Sequence, residues 1–201
     1  VLYALQRLGV DAQVSRDAQT IRQAERLILP GVGAAGDAMQ RLRQAGLDQL
    51  IPQLQQPLLG ICLGLQLLYQ HSEEDDTPCL GVFPGTVRRF PPAAGLRVPH
   101  MGWNALSFPR DDGAAQDHVF SQRLEQALSA EAAPESTDDP RPWCYFVHSF
   151  YAPLGPETVA ISTHGESFTA IARRDNFLAA QFHPERSAQA GAALLRFFLA
   201  N

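Results

Sequence analysis

Cysteine is scarce in this chain, which has three cysteines among its 201 residues. They are Cys62, Cys79 and Cys144, and no two of them form a C-x-x-C pair. An odd and widely spaced set argues against a disulfide framework and is typical of a protein kept in the reducing cytosol, so we expect a cytoplasmic location. The same spacing argues against a zinc site, and we expect no metal and no other cofactor.

An excess of positive charge and long apolar runs are also missing. The formal net charge is -5 at pH 7 and the isoelectric point lies near 5.6. Nucleic-acid-binding domains usually carry a basic surface, so the sequence predicts no nucleic-acid partner. No apolar run reaches the length of a membrane span, and we expect no membrane partner either.

The composition that remains is ordinary for a globular protein, with 45% hydrophobic and 18% charged residues. A chain of this length can build one complete core, which predicts a single domain over residues 1–201. The first third alternates apolar strand patterns, at 26–29 and 57–61, with helical patterns at 35–45 and 63–70. This alternation predicts an α/β fold, in which helices flank a mostly parallel sheet in three layers.

The second half has hairpin-like strand patterns, which predict an added antiparallel layer. These strands are expected at 82–90, 144–152, 158–163, 168–173 and 177–183, followed by an amphipathic helix over 188–199. The chain begins with a helical spacing over 1–8 and a short strand candidate over 10–14. Because α/β sheets of this kind normally open on a strand, we expect a first strand to be missing from the N-terminus of this sequence.

The most informative motif is the run Gly60-Ile61-Cys62-Leu63-Gly64, at the junction of a predicted strand and helix. It is the cysteine version of the G-x-S-x-G nucleophile elbow, whose glycines allow a sharp turn and leave room for a substrate. The start of the helix adds partial positive charge and free N–H groups, which favour a thiolate. A buried inert cysteine is the alternative, and it is the interpretation we keep for Cys79 and Cys144.

A second motif, His183-Pro184-Glu185, follows the last predicted strand. If that strand continued, alternation would place His183 and Glu185 on the same side. Together with Cys62 they supply a thiol, an imidazole and a carboxylate, the parts of a nucleophile–base–orienter triad. The alternative for His183 taken alone is a histidine at a strand end whose hydrogen bonds are satisfied and which has no catalytic role. A zinc site is disfavoured, because no second histidine stands at ligand spacing.

These two motifs resemble the class I (triad) glutamine amidotransferases. Three further segments narrow the resemblance to the glutaminase subunits of imidazole glycerol phosphate synthases: residues 30–33 (PGVG), 99–104 (PHMGWN) and 145–150 (YFVHSF). The resemblance extends over the whole chain. Members of that family begin with a strand and an Asp-Tyr-Gly turn, a segment that this sequence lacks.

The resemblance implies that the chain hydrolyses L-glutamine to glutamate and ammonia. Cys62 would form a glutamyl thioester, His183 would transfer protons and Glu185 would hold the imidazole. The implied oxyanion and substrate contacts are Gly31, Val32, Gly33, Leu63, Gln66, Ser149 and Phe150. From the residues alone, the 30–33 segment is equally an ordinary turn, and Gln66 is equally a solvated helix residue.

The resemblance also implies a partner, a separate (β/α)₈-barrel cyclase subunit that receives the ammonia and forms imidazole glycerol phosphate in histidine biosynthesis. The two subunits would form a heterodimer, with Met101, Trp103 and Asn104 at the interface. Without the resemblance, Trp103 would be taken as a core residue. The remaining histidines, among them His100 and His148, are assigned no chemistry.

Two other functions stay open at this point. A paralogous glutaminase that feeds another synthase would share the triad, and residues 99–104 argue against it. A catalytically inactive binding subunit would keep the fold, and the intact Cys62, His183 and Glu185 argue against it.

Overall fold

A computed structural model of the chain describes residues 1–92, 95–109, 118–130 and 139–201. The helices are α1 (Leu2–Arg7), α2 (Ala18–Gln23), α3 (Ala35–Gln44), α4 (Leu47–Leu50), α5 (Leu63–Leu67), α6 (His118–Ser129) and α7 (Ala188–Ala200), with short 3₁₀ turns at Ile51–Gln53, Glu74–Asp76 and Pro184–Arg186. The strands are β1 (Leu27–Gly31), β2 (Leu58–Cys62), β3 (Tyr69–Ser72), β4 (Thr77–Pro78), β5 (Phe83–Arg89), β6 (His100–Ala105), β7 (Trp143–His148), β8 (Phe150–Tyr151), β9 (Thr158–His164), β10 (Glu166–Arg174) and β11 (Phe177–Ala180).

A five-stranded sheet in the order β1-β2-β11-β10-β9 forms the centre of the fold. Strands β1, β2 and β11 run parallel, whereas β10 and β9 continue the sheet antiparallel. All five residues of β2 are buried, since it has a parallel neighbour on each side. Side chains alternate across a strand, so Leu58 packs into one apolar core and Leu59 and Ile61 into another.

Helices cover both faces of this sheet. One core contains Leu5 of α1, Leu124 of α6 and Leu194 of α7, and the other contains Met39 of α3 and Leu65 of α5. Two smaller sheets complete the structure, a four-stranded one in the order β4-β3-β5-β8 and the pair β6-β7. The predicted α/β class with flanking helices is confirmed, although the central sheet is more mixed than predicted because β9 and β10 belong to it.

Glycine allows α5 to pack directly on the parallel strands. A Cβ atom at Gly64 would overlap the carbonyl oxygen of Leu29, which is strand backbone and cannot move aside. A Cβ atom at Gly60 would lie 2.9 Å from the Gly64 carbonyl oxygen. Both glycines of the cysteine motif are therefore required for the helix to sit against β1 and β2.

Two predicted elements in the first third are wrong. Residues 10–14 form no strand; Val14 is 81% exposed, and a short segment without a strand to pair with gains nothing from an extended conformation. The helix predicted over 63–70 ends at Leu67, and Tyr69–Ser72 is β3, which pairs in parallel with β5. Tertiary strand pairing overrides the local helical spacing there.

The strand patterns of the second half are also interrupted. The strand predicted over 144–152 breaks at Ser149 into β7 and β8, which pair in different sheets. The strand predicted over 177–183 ends at Ala180, so His183 lies beyond it. The sequence pattern does not predict β6 or α6.

Strand β1 is an edge strand of the central sheet. The expectation of a further strand before Val1 stays a prediction, as does the single-domain boundary of 1–201. Among the described residues, no helix combines the length and the apolar character needed to cross a membrane.

Candidate active site

Cys62 sits at a strained turn between β2 and α5. Its backbone has φ 55° and ψ -111°, a combination that a residue with a side chain adopts only when its surroundings enforce it. The side chain is 8% exposed, and its sulfur lies 3.9 Å from the carbonyl oxygen of Val147. The elbow predicted from the sequence is therefore present, and it directs the thiol toward the end of β7.

His183 and Glu185 meet in a turn and not along a strand. His183 follows the end of β11, and the 3₁₀ turn Pro184–Arg186 folds Glu185 back onto it. The His183 Nδ1 atom donates to Glu185 Oε1 at 2.9 Å. The two side chains are close, as predicted, but the reason given by strand alternation is wrong; Pro184 presets the φ angle of the turn.

Ser187 fixes the position of this turn, and the sequence analysis missed it. Its hydroxyl donates to the His183 carbonyl oxygen at 2.7 Å and accepts from the Tyr145 N–H at 2.9 Å. The His183 N–H donates in turn to the Tyr145 carbonyl oxygen at 3.0 Å. A serine just before an apolar helix is usually an N-cap, so nothing local indicates that this hydroxyl joins the turn to β7.

The electrostatics couple His183 to both neighbours. Hydrogen bonding with Cys62, followed by hydrogen bonding with Glu185, raises the pKa of His183 to about 9, although burial opposes the shift. Burial would raise the pKa of Glu185, but the hydrogen bond and the charge of His183 lower the pKa overall. Since Nδ1 is held by Glu185, Nε2 is the atom available to Cys62. This arrangement favours a protonated imidazole beside the cysteine sulfur.

We expect this coupling to make the protein less stable as the pH rises from about 6.5 through about 9. The pKa of His183 is higher in the folded chain than its ordinary value of 6.5, so the stabilisation is complete below pH 6.5 and is lost as the imidazole deprotonates near pH 9. Urea unfolding across this window measures the effect. Cys62→Ala removes the largest cause of the shift and should flatten the profile; parallel profiles for the two proteins would contradict the coupling.

The predicted oxyanion donors lie beside the elbow. Leu63 is the first residue of α5, so its N–H has no partner within the helix. A Cβ atom at Gly31 would lie 2.7 Å from the Leu63 Cβ atom, which shows how closely the end of β1 approaches the helix start. Val32 is 84% exposed and Gly33 has φ 95°. The structure brings Gly31 and Leu63 together, and the role of all four residues as donors stays a prediction.

Gln66 is a buried link and not a solvated helix residue, so that alternative is wrong. It is 4% exposed, and its Nε2 atom donates to the Phe150 carbonyl oxygen at 2.9 Å and to Gln181 Oε1 at 3.0 Å. Gln181 is fully buried, and its Nε2 atom lies 3.8 Å from the Cys62 sulfur. The Ser149 carbonyl oxygen accepts from Phe90 N–H at 3.1 Å. Substrate contacts by Gln66, Ser149 and Phe150 stay predictions.

The predicted interface residues divide between the two faces of β6. Met101 and Trp103 are 63% and 50% exposed and lie on one face. The Trp103 ring meets the Tyr145 ring edge to face at 5.9 Å. Asn104 points the other way, since its side-chain amide donates to the Thr163 carbonyl oxygen at 2.8 Å. Exposed aromatic and thioether side chains of this kind often mark a docking surface.

The other two cysteines have the character of unreactive thiols. Burial raises the pKa of Cys79 to about 11, and burial also raises the pKa of Cys144. Both therefore stay protonated at neutral pH, where a thiol is a poor nucleophile. Within the described parts of the chain, no three His, Cys, Asp or Glu side chains are grouped so that they could hold a metal ion.

If the site carries out the glutamine hydrolysis that the resemblance implies, Glu185→Gln should impair it less than His183→Ala does. The glutamine keeps an acceptor for the His183 Nδ1–H but loses the charge that stabilises the imidazolium, whereas alanine removes the proton carrier. Loss of an orienting carboxylate in other triads costs about 10²-fold less than loss of the base. Steady-state glutamate release by both variants is the measurement, and a fully active Glu185→Gln protein would mean that another group orients His183.

Comparison with protein families identifies known relatives of this chain. The family model of class-I glutamine amidotransferases matches residues 1–201. The HisH subunit of imidazole glycerol phosphate synthase from Xanthomonas campestris pv. campestris (strain 8004) is 53% identical over 199 residues, covering 99% of this chain and 90% of that protein. The HisH subunit from Xylella fastidiosa (strain Temecula1) is 50% identical with the same coverage.

Solved structures share the fold at much lower identity. The crystal structure of a glutamine amidotransferase superposes with a TM-score of 0.65 at 21% identity, covering 98% of this chain and 89% of that one. A glutamine amidotransferase from Thermotoga maritima superposes with a TM-score of 0.52 at 16% identity, covering 97% of this chain and 69% of that one. At these identities the similarity concerns the fold.

Proposed function

Because this chain belongs to the class-I glutamine amidotransferase family, and its relatives at 50–53% identity are HisH subunits of imidazole glycerol phosphate synthase, we propose that it hydrolyses L-glutamine with a Cys62–His183–Glu185 triad. The ammonia serves the synthase reaction in histidine biosynthesis. One observation carries the proposal of the triad: a cysteine on a strained elbow is coupled to a histidine whose other nitrogen donates to a carboxylate.

The first half of the reaction forms a thioester. The Cys62 sulfur attacks the side-chain carbonyl carbon of glutamine, and the carbonyl electrons move onto its oxygen. When that tetrahedral intermediate collapses, the carbon–nitrogen bond breaks and protonated His183 gives its proton to the departing ammonia. Glu185 holds the imidazole so that Nε2 faces the sulfur throughout.

The second half releases glutamate. His183, now neutral, takes a proton from a water molecule, whose oxygen attacks the thioester carbonyl carbon. The carbon–sulfur bond breaks and Cys62 is restored as a thiolate beside a protonated imidazole. Both tetrahedral intermediates carry an oxyanion, which the Leu63 N–H and a donor from Gly31–Gly33 would stabilise.

The ammonia acceptor is a separate subunit of the synthase, and we assign it the cyclase step on a (β/α)₈ barrel in a heterodimer. Met101 and Trp103 support a docking role for β6, because they expose apolar surface beside the Tyr145 ring. A biosynthetic role of this kind supports a cytoplasmic location. No nucleic acid, membrane or cofactor enters the proposed reaction.

A chloroketone analogue of glutamine tests the nucleophile. Attack by the Cys62 sulfur would displace chloride and leave a stable thioether on that residue alone, which peptide mass spectrometry locates. Cys79 and Cys144 serve as internal controls, since burial keeps both as protonated thiols. Inactivation of glutamine hydrolysis with the label on another residue would refute the proposed triad.

Trp103→Ala should weaken binding to the cyclase subunit by roughly 30-fold, about 2 kcal/mol, if this indole is an interface hot spot. Titration calorimetry with the cyclase subunit measures the change. Leu154→Ala is the matched control, because Leu154 is 48% exposed and lies in the loop before β9. Equal affinities of the two variants for the cyclase subunit would show that Trp103 is not an interface hot spot.

A further inference from the structure

A buried pair of histidines lies behind the candidate glutamine site. His100 on β6 and His148 on β7 are 5% and 6% exposed. The Nδ1 atom of His100 lies 2.9 Å from Nε2 of His148, and Nδ1 of His148 lies 2.8 Å from the Phe150 carbonyl oxygen. Neither histidine belongs to the proposed triad, and the sequence assigns them no chemistry.

The hydrogen bonds determine one tautomer for each ring. A carbonyl oxygen only accepts, so His148 must carry its proton on Nδ1. A neutral His148 then accepts through Nε2, which requires a proton on Nδ1 of His100. Protonating either ring would leave a second N–H group without an acceptor or facing another donor, so this arrangement holds only when both rings are neutral.

Asn104 completes the outer end of the arrangement. Its Nδ2 atom lies 3.3 Å from Nε2 of His100, the acceptor that the tautomer leaves free, and 2.8 Å from the Thr163 carbonyl oxygen. Its Oδ1 atom accepts from the Ala105 N–H at 2.9 Å. Each polar atom of the Asn104 side chain therefore has a partner that matches its chemistry.

At the inner end, the Phe150 carbonyl oxygen has a second donor. Gln66 Nε2 lies 2.9 Å from that oxygen and 3.0 Å from Gln181 Oε1. Gln181 Nε2 in turn lies 3.8 Å from the Cys62 sulfur. A continuous set of hydrogen bonds therefore joins β6 to the nucleophile.

We propose that Asn104, His100 and His148 form a positioning chain that holds the Phe150 carbonyl group, and through it Gln66, in the geometry that binds glutamine. This proposal rests on the proposed function. The positioning chain begins at Asn104 on β6, and the other face of β6 exposes Met101 and Trp103. It therefore also connects the substrate site to the candidate docking strand.

The surroundings support a neutral, rigid pair. The His100 ring stacks on the rings of Phe146 at 5.0 Å and of His164 at 4.1 Å. Burial lowers the pKa of His100 to about 4 and that of His148 to about 3. Buried polar groups that are fully satisfied specify a single geometry, which is what a binding site needs.

Two variants of His148 separate positioning from packing. His148→Phe keeps an aromatic ring but leaves the Phe150 carbonyl group without this donor, and it should raise KM for glutamine about 10-fold with little change in kcat. His148→Asn places an amide N–H near the former Nδ1 atom and should restore most of the affinity. His164→Phe is the control. His164 stacks in the same cluster, but its hydrogen bond goes to the Arg97 carbonyl oxygen, which is not part of the positioning chain.

Ammonia-dependent synthesis by the complex should be the same for all three variants, because the positioning chain affects only the binding of glutamine. Equal KM values for His148→Phe and the wild-type protein would overturn the proposal, and so would equal increases for His148→Phe and His148→Asn. If His148→Phe does not fold, Asn104→Asp applies the same test. A carboxylate next to Nε2 of His100 favours a proton on that nitrogen, either as the reversed tautomer or as an imidazolium, and both states disrupt the neutral arrangement that the positioning chain requires.

A spectroscopic readout keeps this proposal separate from the proposed function. Long-range proton–nitrogen spectra of the wild-type chain labelled with ¹⁵N-histidine should show two neutral rings protonated on Nδ1, assigned with the His148→Asn variant. A different tautomer or a charged ring for His100 or His148 at neutral pH would refute the positioning chain even if glutamine is hydrolysed. The expected tautomers without any glutamine hydrolysis by the complex would refute the proposed function instead.

Discussion

Cys62→Ala should abolish glutamine-dependent synthesis by the complex while ammonia-dependent synthesis continues. In the proposed mechanism the sulfur becomes bonded to substrate, and its neighbours Gln181 and Val147 offer no replacement nucleophile. Loss of a triad nucleophile typically lowers kcat by about 10⁴-fold or more. In the proposed division of labour ring formation takes place on the partner subunit, so free ammonia should bypass the defect.

The measurement compares the two ammonia sources for the wild-type and variant complexes. Cys79→Ala is the control, since that thiol lies outside the site and burial raises its pKa to about 11. An equal loss with glutamine and with ammonia would mean that Cys62 supports the complex as a whole. That result would overturn the division of labour between the two subunits.

Binding of the proposed cyclase subunit, loaded with the substrate that accepts the ammonia, should raise glutamate release by about 10²–10³-fold, the usual effect of one oxyanion donor. Free ammonia is wasted when no acceptor is loaded, so hydrolysis is best tied to the partner. We expect the structural means to be the segment Gly31–Val32–Gly33, whose first residue abuts the start of α5. Gly33 has φ 95°, and glycine lets the neighbouring peptide take either orientation at low steric cost.

Glutamate release by the isolated chain, the complex and the ligand-loaded complex tests this expectation. Gly33→Ala should lower the ratio of glutamate release by the ligand-loaded complex to release by the isolated chain. Alanine restricts the orientation of the peptide, although no atom lies within 4 Å of its Cβ position. Gly81→Ala is the matched control, since Gly81 has φ 70° and equally open space. Equal rates in the three states would indicate a stand-alone glutaminase.

Local sequence patterns predicted the parts of the site that form within a few residues. The elbow is one such part, because a strand, two glycines and a helix start are read from consecutive residues and the turn follows from them. His183 and Glu185 also meet locally, although a turn at Pro184 and not a strand brings them together. The α/β class followed from alternating strand and helix patterns for the same reason.

The sequence by itself therefore determined the candidate nucleophile, the histidine–carboxylate pair and the class of fold. Only the tertiary structure decided which groups surround them: Gln181 against Cys62, Ser187 against Tyr145, and His100 against His148. These contacts follow from the strand order β1-β2-β11-β10-β9 and from the pairing of β6 with β7. Strand order depends on the packing of distant segments around two shared cores. The spacing of residues along one segment therefore does not predict it.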